Sequence, residues 1–126
     1  MVLDCGVALA GEAVEELLKS LRPPGFAAAP DLVDVETVAV LRKRWIAKAI
    51  TDSRFKSAVD DLLALPIVRY PTGPLMVRAY ELRANVTAYD ATYVALAEGL
   101  ACTLLTADGR LARAPAITCP VEVFSV

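Results

Sequence analysis

Histidine is absent from the 126 residues. That absence excludes a Ser-His-Asp triad, a Cys-His pair, a His-rich zinc site and an imidazole-based acid–base ribonuclease. Any hydrolysis at neutral pH falls to carboxylates and metal. Cysteine is sparse and odd in number: Cys5, Cys102 and Cys119 lack metal-site spacing and read as reduced thiols of a cytoplasmic protein. No apolar run approaches the roughly 20 residues of a membrane helix, so no membrane partner is expected. The opening "MVLDCG" lacks a basic region and meets an acid at position 4, which argues against a signal peptide. Charge of either sign is also short. A net charge of -2 creates no global field for nucleic acid and leaves a local patch, or metal ions held by acids, as the routes to RNA. A phosphate-cradling Gly-rich loop is missing as well.

Apolar character is abundant. Hydrophobic residues make up 56% and charged residues 22%, the balance of one folded domain spanning 1–126 with a single core. Short strands and helices alternate along it. "MVL" reads as a strand ending at Asp4, and "GEAVEELLKSL" as a helix with Val14, Leu17, Leu18 and Leu21 on one face. "RPPG" stops that helix, "FAAA" reads as a short strand, and "PDLVDVETVAVLRKRW" as a helix entered through Pro30 and Asp31. "TDSRFKSAVDDLLAL" follows as a helix capped by Thr51 or Asp52 and ended by Pro66, then "IVRY" as a strand. "GPLMVRAYELR" is a helix opened by Pro74; a helix from Thr87, the strand "TLLTA" and the strand "VEVF" complete the chain. Pro23-Pro24 and Pro71 punctuate loops. This order predicts an α/β fold with a parallel sheet and helices on both faces.

Four acids stand out against that pattern. Ligands of open α/β sheets bind beyond the carboxyl ends of the strands. Asp4 follows the first strand and Asp108 follows "TLLTA", so both share one sheet edge if those strands are neighbours. Asp90 opens the helix feeding the second of them. Each has an ordinary explanation: a capping box for Asp90 in Thr87-Ala-Tyr-Asp90, a turn pair for Asp108-Gly109, and a turn cap for Asp4. Glu36 is harder to assign that way. It shares a helix face with Val33, Thr37 and Val40, a face that packs on the sheet, where an unpaired carboxylate costs several kcal/mol. Asp31 and Asp34 read as capping or solvent-facing. Four converging carboxylates need a positive partner, and Mg²⁺ or Mn²⁺ suits oxygen ligands. Thr106, two residues before Asp108, reads either as an ordinary strand-end Thr or as a group orienting a metal ligand. Arg42, Lys43, Arg44 and Lys48 form a basic run, read equally as helix C-terminal charge or phosphate contacts; Trp45 reads as core or as a stacking surface.

The stretch "TAYDATYVALAEGLACTLLTADGRL" resembles the C-terminal half of PIN-domain ribonucleases of the VapC toxin family. "APDLVDVETVAVLRK" resembles their second-helix motif, and "MVLDCGVAL" their first strand and following turn. The resemblance implies a small parallel sheet sandwiched by helices and a metal-dependent endoribonuclease. Matched motif by motif, it implies that Asp4, Glu36, Asp90 and Asp108 hold Mg²⁺ or Mn²⁺. It also implies an RNA substrate, a cognate antitoxin and, together with the excess apolar content, a homodimer. Two departures are present: Cys5-Gly6 replaces the family's usual hydroxyl- or amide-bearing pair, and the turn before "GEAVEELL" is short. They motivate an alternative, a catalytically weak PIN domain that binds RNA or antitoxin. A phosphatase-like domain would want a second Asp at position 6, where Gly6 stands.

Overall fold

The structure, a computed structural model, describes residues 1–9, 11–20 and 27–125, without the side chains of residues 12–14 and 20. The predicted "RPPG" stop, Phe26, and the roles of Val14 and Leu21 lie outside the described residues. Five short strands form one parallel sheet in the order β3-β2-β1-β4-β5: β1 Val2–Leu3, β2 Ala28–Pro30, β3 Val68–Tyr70, β4 Leu104–Thr106 and β5 Val121–Val123. The helices are α1 Cys5–Ala8, α2 Glu12–Ser20, α3 Leu32–Ile46, α4 Asp52–Ala64, α5 Met76–Glu81 and α6 Ala88–Gly99. The chain moves outward from β1 to β3, then crosses back beyond β1 to β4. With right-handed crossovers, that reversal sets α1–α4 on one face and α5–α6 on the other.

The core follows from the strands' apolar residues. Val2, Leu3, Ala29 and Leu104 are wholly or almost wholly buried, as a doubly covered parallel sheet requires. Helix α6 is buried over the continuous stretch Ala91–Ala97, so it carries no amphipathic stripe and runs as a central helix. It begins where Thr87 Oγ1 accepts the Asp90 N–H at 3.1 Å. It ends with Ala101 in the left-handed region (φ 53°) and Cys102 N–H donating to the Ala97 carbonyl at 3.0 Å, a Schellman turn built on Ala where Gly is usual.

Several boundaries differ from those predicted. Pro30 closes β2 instead of opening α3, and Asp31 makes no capping hydrogen bond with its side chain. Asp34 is neither solvent-facing nor a cap: it pairs with Arg69 at 2.8 Å, joining α3 to β3, while Arg69 also donates to the Leu62 carbonyl. Thr51 caps α4 by accepting the Arg54 N–H at 3.1 Å. The helix predicted over 73–83 forms as a 3-10 turn, Gly73–Leu75, continued by the short α5. A one-turn helix, α1, occupies the predicted turn after Asp4.

Candidate active site

Strands β1 and β4 are hydrogen-bonded neighbours in register Val2↔Leu104 and Leu3↔Leu105. Their next residues therefore leave the sheet side by side. Asp4 N–H donates to the Leu105 carbonyl at 3.1 Å, which fixes the backbone at this edge. Asp4 Oδ1 accepts the Val7 N–H at 3.0 Å and so caps α1, while Oδ2 accepts the Thr106 hydroxyl. The same Thr106 oxygen accepts the Asp108 N–H at 3.0 Å. One buried hydroxyl thus ties the two acid-bearing strand ends together, a role beyond that of an ordinary strand-end Thr.

Glu36 reaches this edge from α3. It flanks the buried stripe Val33, Thr37 and Leu41 and is itself half-buried. Tyr93, buried in α6, donates its phenol to Glu36 Oε1 at 2.9 Å. The Cys5 thiol lies 4.0 Å from Oε2 as a weak donor. Burial and the neighbouring acids raise the Cys5 pKa to about 11, so the thiol stays protonated. A donor therefore does follow Asp4, in sulfur form. Position 6 has no room for one: a Cβ on Gly6 would come within 2.9 Å of the Ala107 Cβ and 3.3 Å of Asp4 Oδ1.

Electrostatics links the acids. Burial raises the proton affinity of Asp90, and the charges of Asp108 and Asp4 raise it further, with partial relief from Thr87 and Arg110. Burial also raises that of Glu36, against the Tyr93 hydrogen bond, with added repulsion from Asp90 and Asp4. Asp108 behaves oppositely. Arg110 grips it through Nη2 to Oδ2 at 2.8 Å and Nε to Oδ1 at 3.1 Å, and lowers its pKa. Among the described residues, no group of three or more His, Cys, Asp or Glu side chains is placed to close around a metal ion. The donor chemistry nevertheless suits a hard divalent cation, since oxygen ligands of one sign repel each other and two of them are driven towards protonation. Arg110 supplies the only counter-charge that touches one of the four acids through its side chain among the described residues.

Sequence reasoning missed Tyr93 and Arg110, while Thr106, read there as either an ordinary strand-end Thr or a group orienting a ligand, does hydrogen-bond Asp4. Tyr93 stands three residues after Asp90, a helical spacing that was open to notice. The basic run from Arg42 to Lys48 does not join the site: it begins about 9 Å along α3 from Glu36 and is exposed. Trp45 there is not core: it is 42% exposed, its ring Nε1–H donates to Asp52 at 2.6 Å and it packs on Phe55, closing the α3–α4 turn.

The chain is similar to several known proteins. The PIN domain family model matches residues 6–117, a span that includes Glu36, Asp90 and Asp108 and leaves Asp4 just outside. Ribonuclease VapC1 of Mycobacterium tuberculosis is 39% identical over 118 residues, 92% of this chain and 89% of that protein. VapC ribonuclease Mb0985 of Mycobacterium bovis is 37% identical over 123 residues, 98% of this chain and 97% of that protein. Among solved structures, PAE2754 from Pyrobaculum aerophilum superposes with a TM-score of 0.66 at 22% identity, covering 89% of this chain and 83% of that one. VapBC2 from Rickettsia felis, solved bound to a DNA fragment from its promoter, gives 0.65 at 18% identity, covering 98% of each chain. At these identities the two structures speak for the fold alone.

Proposed function

The chain belongs to the PIN-domain family, and from that premise we propose that it is a toxin endoribonuclease whose acids, Asp4, Glu36, Asp90 and Asp108, hold Mg²⁺ or Mn²⁺. The observation that supports the proposal is the electrostatic coupling of acids borne by the β1 end, α3, α6 and the β4 end: burial raises the proton affinity of Asp90 and Glu36, Asp108 and Asp4 raise that of Asp90 further, and Asp90 and Asp4 that of Glu36. A bound ion would supply charge neutralisation at the phosphodiester and an acidified water.

The chain's own residues do the positioning. Thr106 holds the Asp4 carboxylate and the Asp108 backbone in fixed relation. Tyr93 fixes the rotamer of Glu36 from the opposite side of the sheet edge. Capping does not compete with ligation at Asp4, which accepts one hydrogen bond on each oxygen, because a carboxylate has about four lone-pair sites. Buried aliphatic residues beneath the edge, Leu3 and Leu105, keep water from the acids' inner side.

The partners follow the same reading: RNA as substrate, a cognate antitoxin as inhibitor, and a second copy as homodimer mate. Val77 and Val35, 75% and 72% exposed, supply unpaired apolar surface for such contacts. A second reading, an RNA- or antitoxin-binding domain with weak catalysis, draws on the Asp108–Arg110 ion pair. Incubating the chain with structured RNA, with and without Mn²⁺, separates the two. Metal-dependent scission with 5′-phosphate ends is expected; RNA left intact at every Mn²⁺ concentration would reject the enzyme reading. Light scattering over a wide concentration range tests the homodimer, which a constant monomer mass would exclude.

A further inference from the structure

A cleft of about 520 Å³ opens beside Asp90 and Asp108. That volume lies within the roughly 300–1,000 Å³ of ligand clefts. The turn between α5 and α6 forms one wall, with Arg83, Asn85 and Val86; Arg110 and Leu111 stand on the other. The acids' mechanism uses neither Arg83 nor Asn85.

Arg83 is held but not neutralised. One of its five N–H groups donates to the Tyr80 carbonyl at 3.0 Å, and its guanidinium lies 4.0 Å from the centre of the Tyr80 ring. No carboxylate among the described residues pairs with it, so the remaining donors face solvent at the cleft wall. Asn85 is exposed, and its side chain makes no hydrogen bond among the described residues. Its backbone is fixed, with N–H donating to the Leu82 carbonyl at 2.9 Å; Val86 N–H donates to the same carbonyl at 3.2 Å. A rigid turn therefore presents a free guanidinium and a free amide next to carboxylates that would otherwise repel a polyanion.

We propose that this cleft seats the nucleotide adjacent to the scissile phosphodiester of a single-stranded RNA, with Arg83 binding its phosphate and Asn85 reading its base edge. The inference rests on the ribonuclease reading for which phosphodiester is cut, but the contacts themselves are a binding claim. A guanidinium matches a phosphate's paired oxygens. An amide offers a donor and an acceptor side by side, which a base edge can complement. Bases reach such groups when unpaired, whereas a duplex hides its edges. Val86 and Leu111 give the cleft apolar surface against which a base can lie.

Binding and cleavage are measured separately on the full chain. Fluorescence anisotropy of a labelled single-stranded RNA in EDTA reads binding; a set of short RNAs varied one nucleotide at a time, with Mn²⁺, reads cleavage. Both residues are exposed, so Arg83→Ala and Asn85→Ala should keep the wild-type circular dichroism. Arg83→Ala is expected to weaken binding about tenfold and to reduce the slope of log affinity on log salt by about 0.7, one phosphate's worth. Asn85→Ala is expected to lose roughly tenfold discrimination at one nucleotide position. Wild-type RNA affinity and an unchanged salt slope in Arg83→Ala, or no RNA binding by the wild type, would overturn the inference. Weakened binding by both variants alongside an inert wild type would instead uphold the cleft and discard the ribonuclease.

Discussion

At the residue scale, the question for each acid is whether its local backbone role exhausts it. Asp90 lies in the first turn of α6, where Thr87 already accepts its N–H. If helix capping were its whole purpose, Asp90→Asn would be harmless, since Asn serves helix N-termini almost as well. Neighbouring acids and burial, however, make its negative charge unfavourable in the absence of a cation. The Asn variant should therefore melt at or slightly above the wild-type temperature without metal, lose the rise in melting temperature that Mn²⁺ gives the wild type, and cleave no RNA. Full cleavage at equal Mn²⁺ would return Asp90 to capping. Arg110 poses the converse case. It occupies both oxygens of Asp108, though its own side chain is 85% exposed. An exposed pair of this kind is weak, and a divalent cation must compete with it. Arg110→Ala should leave stability within about 0.5 kcal/mol and lower the Mn²⁺ concentration at the midpoint of the thermal-shift titration. An unchanged midpoint would show that Asp108 keeps its carboxylate away from the ion.

At the scale of elements, α1 and α3 carry the tightest constraints. Helix α1 is one turn long, yet it delivers Asp4's cap and Cys5's thiol to the site. Its closeness to Ala107 depends on Gly6. Gly6→Ser would add a hydroxyl beside Asp4, but its Cβ meets Ala107 at 2.9 Å. Neither a methyl nor the backbone behind it can rotate away, so α1 must shift. A loss of about 1–3 kcal/mol in denaturant unfolding is expected, with no gain in activity; a stable, more active variant would show that α1 relaxes freely. In α3, Thr37 is 2% exposed and its hydroxyl has no hydrogen-bond partner among the described residues. It borders a cavity of about 170 Å³ lined also by Leu41 and Leu62. Thr37→Val removes the unsatisfied oxygen while keeping the branched shape, and should stabilise by about 1 kcal/mol. Destabilisation would reveal a partner for that hydroxyl in solution. Much of this scale was legible beforehand. Apolar runs between turn residues located the strands, and Thr51 and Thr87 announced their helices. Pro30 misled because a proline at the start of an acidic segment resembles a helix entrance, while here it closes a strand whose next residue, Asp31, donates its N–H to Tyr70. Asp34–Arg69 and Glu36–Tyr93 were invisible for a different reason: their partners are 35 and 57 residues away, and only the packing of α3 against the sheet edge brings them together.

At the scale of the whole molecule, the carboxylates divide into two populations with opposite pH signatures. Glu98 receives Arg78 at 2.7 Å and both the backbone and the hydroxyl of Thr118, and its pKa falls from 4.5 to about 2. A depressed folded pKa gives stability that is present above the unfolded value and lost as pH falls through the folded one. Arg78 also donates to the Ala116 carbonyl, so this knot holds the chain before β5 against α5 and α6. Glu36 and Asp90 have the opposite sign. Their folded pKa values are raised, so they favour the fold below the ordinary carboxylate range, and that contribution disappears as pH climbs through their raised values. The metal-free protein should consequently be most stable in mildly acidic solution, with an acid limb led by Glu98, to which the partly exposed Asp108 adds weakly, and a limb towards neutrality set by Glu36 and Asp90. Each limb can be weakened alone. Glu98→Gln should flatten the fall between about pH 4.5 and 2. Asp90→Asn or Glu36→Gln should flatten the fall towards neutrality and leave the acid limb intact. Mn²⁺ should act on the same limb as those two variants, because a cation at the acids favours their ionised forms. It should move the wild-type optimum towards neutral pH and do little to Asp90→Asn. Melting temperatures measured from pH 2 to 8, with and without Mn²⁺, decide the matter. A wild-type profile whose neutral limb ignores both the ion and the Asn substitution would mean that the repulsion among these acids is relieved by something other than a metal.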